Sequence, residues 1–141
     1  MLYSICFISN SVQLLQEDEL ESFLAHSIVH NVVRNISGIL LYNEGTFFEV
    51  MEGEYVDISV LISKIKRDSR HNNVTIMIEQ EISNRLFDSF QTGIVSPGNK
   101  VKKRLLKFKR QLPKASQYSK SLRTLLDSFT SQEIISSGYG V

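Results

Sequence analysis

Few residues in this chain of 141 have both the type and the spacing for chemistry. His26 and His30 lie four apart on a predicted helix, which puts both rings on one face, where they could ligate a metal. No third ligand accompanies them, so they read as solvent-facing or satisfied histidines. Glu52 and Glu54 flank Gly53, as a hydrolytic carboxylate pair could. Beside a strand end they read instead as the start of a helix. Cys6 is the single cysteine. It excludes an internal disulfide, fits a reducing compartment and reads as a buried strand thiol. There is no phosphate loop, dinucleotide glycine fingerprint or HExxH motif. The residues by themselves specify no enzyme.

The elements that would position these groups emerge from periodicity. Residues 2 to 9 alternate as a half-buried strand, with Leu2, Ser4, Cys6 and Ile8 on one face and Tyr3, Ile5, Phe7 and Ser9 on the other. A helix is expected over Gln16 to His30, with Leu20, Phe23, Leu24 and Ile28 as its apolar stripe and acids in its first turn. Asn31 to Asn35 then links to a hairpin, Ile36 to Tyr42 and Thr46 to Met51. Its turn, Asn43-Glu44-Gly45, supplies a glycine for positive φ. A second helix, Tyr55 to Asp68, buries Ile58, Leu61, Ile62 and Ile65, and ends at Arg70-His71-Asn72-Asn73. Next come a strand from Val74 to Ile82, one helical turn at Arg85 to Asp88, and a last strand from Phe90 to Val95. Pro97-Gly98 closes the compact part.

The order β-α-β-β-α-β-β predicts an α+β, ferredoxin-like mixed sheet with two helices on one face. A C-terminal helix pair, Lys100 to Gln111 and Ser116 to Phe129, is parted at Pro113 and expected on the sheet's open face. The end from Thr130 is expected to fray. The domain boundaries expected are 1–98 for the compact part, 99–130 for the helical appendage and 131–141 for a flexible tail.

Composition is that of a soluble protein. No run reaches the ~18 apolar residues of a membrane span, and the N-terminus reads as a strand rather than a signal peptide. A cytoplasmic location is expected. The formal net charge of +1 hides an asymmetry: residues 1–99 hold 6 Lys/Arg against 13 Asp/Glu, and residues 100–141 hold 10 against 2. The basic stretch reads as a face complementary to the acidic body or to a neighbouring subunit. A nucleic-acid partner is not expected, since no aromatic-rich basic ribbon accompanies it.

The hairpin and the segments C-terminal to it resemble the BLUF family, blue-light sensors that use a flavin. The residues concerned are Asn35-Ile-Ser-Gly-Ile-Leu-Leu-Tyr42, then Gly45-Thr-Phe-Phe-Glu-Val-Met-Glu-Gly-Glu54, Ile65-Lys-Arg-Asp-Ser-Arg-His71 and Arg85-Leu-Phe87. The likeness covers residues 1 to 95, in order and at family spacing. The C-terminal helices resemble the appendage on short members of the family. The resemblance implies FAD, FMN or riboflavin between the two helices. Asn31 matches the asparagine that hydrogen-bonds the ring, and Phe23 and Ile65 match residues that sandwich it. Lys64 falls where a base reaches the phosphates. Asp68, Arg70 and His71 match a turn beside the cofactor. Without the resemblance, Phe23 and Ile65 read as core and Lys64 as a solvated charge.

Measured against the resemblance, the switch positions are substituted. Phe7 stands where the family has its photoactive tyrosine, and Glu49 where it has the glutamine that rearranges its hydrogen bonds. Phe90 and Thr92 replace the usual Trp and Met, and His30 a frequent asparagine. A phenyl ring has no proton to give, and an ionised carboxylate only accepts hydrogen bonds. A buried Glu49 must be protonated or paired. Tyr3 shares the face of Phe7 but lies about 13 Å away along the strand. The expected function is a flavin-binding sensory domain with its usual photocycle lost or altered. It would act through a homo-oligomer or a downstream signalling protein, and not as an enzyme. The alternatives are a flavin-free protein-interaction module of the same fold and, third, a small redox or hydrolytic enzyme.

Overall fold

The computed structural model of the chain describes residues 1–95, 101–112 and 116–139. Pro97-Gly98 and Pro113 fall outside them. The element order is β1 (Leu2–Ser11), α1 (Glu17–Val33), β2 (Ser37–Asn43), β3 (Thr46–Glu54), α2 (Tyr55–Arg67), β4 (His71–Glu81), β5 (Phe90–Ile94), α3 (Val101–Gln111) and α4 (Gln117–Tyr139). Two compact units result, Met1–Gly93 and Ile94–Val141.

The first unit is the expected α+β, ferredoxin-like arrangement. Its sheet order is β4-β1-β3-β2-β5, with β1–β3, β1–β4 and β2–β3 antiparallel. The β2–β3 hairpin fixes the centre. Glu44 and Gly45 both take positive φ, 44° and 88°, as a two-residue hairpin loop requires. Gly38 on β2 is required for a different reason. A Cβ there would sit 1.8 Å from the Val50 carbonyl oxygen, so no side chain fits between the two strands.

Strand β1 is not half-buried. Ser4, Ile5, Cys6 and Phe7 are all buried, on a strand that lies inside the sheet between β4 and β3. Helix α1 runs three residues beyond His30. It ends where Asn35 adopts a left-handed φ of 55°, and the amides of Arg34 and Ile36 both donate to the Asn31 carbonyl, at 3.1 and 2.9 Å. Asn31 is therefore in the last helical turn and not in a linker.

Strand β4 begins earlier than periodicity suggested. His71 already pairs with Ser11, and the ladder absorbs a register shift between Ile8 and Asn10. Asn73, at φ 53°, takes up the kink. The helical turn expected at Arg85 to Asp88 does not form. The amides of Leu86 and Phe87 instead donate to the Glu52 carboxylate, at 2.9 to 3.1 Å. Arg85 donates to the Ser37 hydroxyl and to the Glu52 and Asn35 carbonyls, at 2.7 to 2.8 Å. Glu52 is a fully buried strand residue, not the start of a helix. Glu54, the last residue of β3, is the N-cap of α2 and so does stand at the start of the helix; its carboxylate pairs with the Met1 amine at 2.7 Å.

In the second unit, Arg123 of α4 donates to the carbonyls of Lys109 and Leu112, at 2.9 and 3.2 Å. Lys109 pairs with Asp127 at 2.5 Å. Leu122, Leu126 and Phe129 are buried, which gives α4 its apolar stripe. Helix α4 spans Gln117–Tyr139.

Candidate functional site

Helices α1 and α2 both pack on the sheet face that carries Phe7 and Glu49, which stand opposite each other on β1 and β3. Between the helices and that face lies a cleft of about 330 Å³, within the range of small-molecule sites. Phe23, Asn31, Glu49, Lys64, Ile65, Asp68, Arg70 and His71 all line it. The eight positions expected from the resemblance thus line one cavity, although they come from four elements and a turn.

Helical spacing explains the two helix walls. Glu19, Phe23, His26, Ser27, His30 and Asn31 recur on one side of α1, and Leu61, Lys64 and Ile65 on one side of α2. Strand alternation supplies Phe47 and Glu49 from β3, Leu40 from β2 and Ser9 from β1. Ser9, Phe47 and His26 were not assigned to the site from sequence. The signal was available, since each lies at helix or strand period from an assigned residue, or opposite one across a ladder.

The floor is polar and buried. Asn31 is 4% exposed and Glu49 7%. The Asn31 amide donates to the Glu49 carboxyl, yet burial dominates and pushes that carboxyl up from 4.5 to about 8. Glu49 is therefore mainly protonated at neutral pH. In that form it carries an O–H donor and a carbonyl acceptor, the pair that a glutamine amide would also present. The expectation that a buried Glu49 must be protonated or paired resolves toward protonation: among the described residues no cation forms an ion pair with it.

The walls are aromatic and basic. Phe23 meets Phe47 at 5.3 Å between ring centroids, and Phe47 meets Tyr42 at 5.0 Å. The Arg70 guanidinium stands 5.0 Å from the Phe23 ring. Arg70 also grips Asp68, with Nη2 to Oδ2 at 2.6 Å and the Arg70 amide to Oδ1 at 2.9 Å. That guanidinium holds the Asp68 carboxyl below its ordinary value. His71 Nδ1 lies 2.9 Å from the Ser9 hydroxyl. Its ring also bonds the Ile65 backbone, and burial lowers its pKa, so it is neutral at pH 7. His26 and His30 stack at 5.6 Å. Burial first, then Arg34, lowers His30, and Arg34 Nη1 reaches His30 Nδ1 at 3.0 Å. Among the described residues no three-ligand metal cluster exists.

The substituted switch positions divide. Glu49 lines the cleft, while Phe7, Phe90 and Thr92 do not. Phe7 is 1% exposed, directly across from Glu49. Tyr3 stands opposite Gly53 in an unbroken register and packs on Tyr55 at 5.0 Å. It cannot serve in place of Phe7. Cys6 is fully buried, and burial pushes its thiol up, as expected of an inert strand cysteine.

These residues suit a planar, partly polar ligand: apolar faces from Phe23 and Ile65, a hydrogen-bonding floor from Asn31 and Glu49, and Lys64 at the rim. The chain resembles several known proteins. The α subunit of the photoactivated adenylate cyclase of Euglena gracilis is 30% identical over 88 residues, which are 62% of this chain and 9% of that protein. The β subunit is 25% identical over 88 residues, 62% of this chain and 10% of that protein. This chain thus corresponds to about a tenth of the curated relatives it matches. In solved structures, Klebsiella pneumoniae BlrP1 superposes with a TM-score of 0.74 at 24% identity, over 93% of this chain and 33% of that one. The BLUF part of BlrP1 gives 0.75 at 22% identity, over 93% and 90%. The family model for sensors of blue light using FAD matches residues 2–93. The chain belongs to the BLUF family.

Proposed function

We propose that this chain is a flavin-binding sensory domain whose light response is altered or lost, acting through protein contacts and not as an enzyme. The convergence of the eight expected residues on one cleft between α1 and α2 carries the proposal. Phe23 and Ile65 would hold the two faces of the ring. Asn31 and Glu49 would bond its edge, and Lys64 would reach a phosphate where the flavin has one. Bound there, a flavin supplies absorption of blue light. Phe7 can neither donate nor accept a proton, so the chain lacks the proton source that the family's tyrosine provides opposite position 49. FAD is favoured by the family, and FMN occurs in a BlrP1 structure. Output would pass to a second copy of the chain, a fused domain or a separate signalling protein. The test is optical. Purified protein should be yellow, and steady blue light should leave its flavin spectrum unshifted. A reversible red shift would overturn the loss of the photocycle, and colourless protein that takes up no FAD, FMN or riboflavin would overturn flavin binding.

One observation favours a flavin-free interaction module of the same fold. Phe23 rests on Phe47, with Arg70 close over its ring, so side chains already satisfy part of the cleft. Colourless protein is the outcome that reading predicts. No described helix is long and apolar enough to cross a membrane.

A further inference from the structure

We propose that Glu49 makes the cleft a proton-linked site: it accepts its ligand with a neutral carboxyl that donates its O–H to a carbonyl on the ligand's edge, and its ionised form rejects that ligand. The inference rests on the flavin reading and adds a regulating variable, the proton.

The geometry carries it. Glu49 forms part of the cleft floor yet is 7% exposed, so a ligand on that floor removes the last water from the carboxyl. An ionised carboxylate facing a carbonyl oxygen is two acceptors with no proton between them. A protonated one makes a hydrogen bond. Asn31 donates to the carboxyl, so the proton of a neutral Glu49, which also lines the cleft, is the donor that carboxyl has to offer a ligand.

Neighbouring charges on every packed element leave this balance intact. From β1, Phe7 and Ser9 are uncharged, and the Cys6 thiol is pushed up by burial and stays neutral. From α1, burial lowers His30, which is neutral above pH 7; His26 and Glu19 stand at the exposed rim. From α2 and the turn after it, Asp68 and Arg70 neutralise each other. Lys64 is exposed and is not among the groups that act on the Glu49 carboxyl. From β4, His71 is lowered by burial and bonded to Ser9. Between pH 7 and 9, Glu49 is the group of the floor that changes charge.

Riboflavin is the suitable probe, since it carries the ring without a phosphate that Lys64 could hold. Flavin-free protein is titrated with riboflavin at pH 7, 8 and 9 by fluorescence quenching. Calorimetry in buffers of different ionisation heat counts protons. The Kd should weaken about tenfold from pH 7 to pH 9, with uptake of about one proton per riboflavin at pH 9. Glu49→Gln, which keeps a donor and an acceptor at every pH, should bind with a pH-independent Kd and no proton uptake. Wild-type binding that is flat with pH and takes up no proton overturns the inference and leaves the flavin reading standing. A Glu49→Gln protein that keeps the tenfold dependence overturns it as well. Absence of riboflavin, FMN and FAD binding at every pH overturns the flavin reading and this inference with it. The proton count on wild-type protein decides the matter even if the variant does not fold.

Discussion

At the scale of single residues, Glu49 is the most consequential position in the chain. Its folded pKa, about 8, lies above the ordinary carboxyl value of 4.5. The folded state therefore binds the proton more tightly, and this group lowers stability progressively as pH rises from 4.5 toward 8, with the full cost present above 8. Without ligand, Glu49→Gln should be more stable than wild type at pH 8 by a few kcal/mol, on the order of 1–4, and indistinguishable from it at pH 4. Urea denaturation at the two pH values measures the difference; an equal effect at both would refute the buried, neutral carboxyl. Phe7 belongs to the same pair. The double variant Phe7→Tyr, Glu49→Gln places a phenol across the ladder from an amide. If the two substitutions silence the response, illumination should shift the flavin spectrum of the double variant reversibly, and neither single variant should match it.

At the scale of elements, the loop between β4 and β5 is held by polar contacts instead of helical ones. Glu52 accepts from two backbone amides, and Arg85 donates to three oxygens of the β2–β3 region. Glu52→Ala leaves buried amides without an acceptor and should cost about 3 kcal/mol or more. Arg85→Ala, at the half-buried end of the same network, should cost about 1–3 kcal/mol. Thermal or urea melts check both, and equal, near-zero losses would show that the loop holds by packing alone. The hairpin makes a stricter demand. Gly38→Ala drives a Cβ into the Val50 carbonyl and should prevent the sheet from forming, whereas Gly45→Ala, strained only by its φ of 88°, should cost about 1–2 kcal/mol.

At the scale of the whole molecule, charge is divided along the chain, and the second unit uses part of its own. Lys109 and Arg123 are engaged with Asp127 and with backbone carbonyls, so two of the ten bases of residues 100–141 are committed within the unit. Any head-to-tail assembly driven by the remaining charge should weaken as salt is raised from about 50 to about 500 mM. Sedimentation velocity at the two salt concentrations reads this, and salt-independent assembly would assign the contact to apolar surface.

The sequence by itself determined the element order and the hairpin turn, because helix and strand periods and the demand for positive φ at Gly45 are local; the eight cleft-lining positions came from the resemblance to the family and not from period. Several features were decided by partners far along the chain. Asn31 became a buried helical residue because a left-handed Asn35 ends α1 late. Arg85 to Asp88 failed to coil because Glu52, more than thirty residues earlier, offered its carboxylate. His71 joined β4 because Ser11 was there to pair with it. The protonation of Glu49 was the last of these. A carboxyl's charge depends on how much water reaches it and on what it faces, and both exist only once the sheet and its two helices have closed around it.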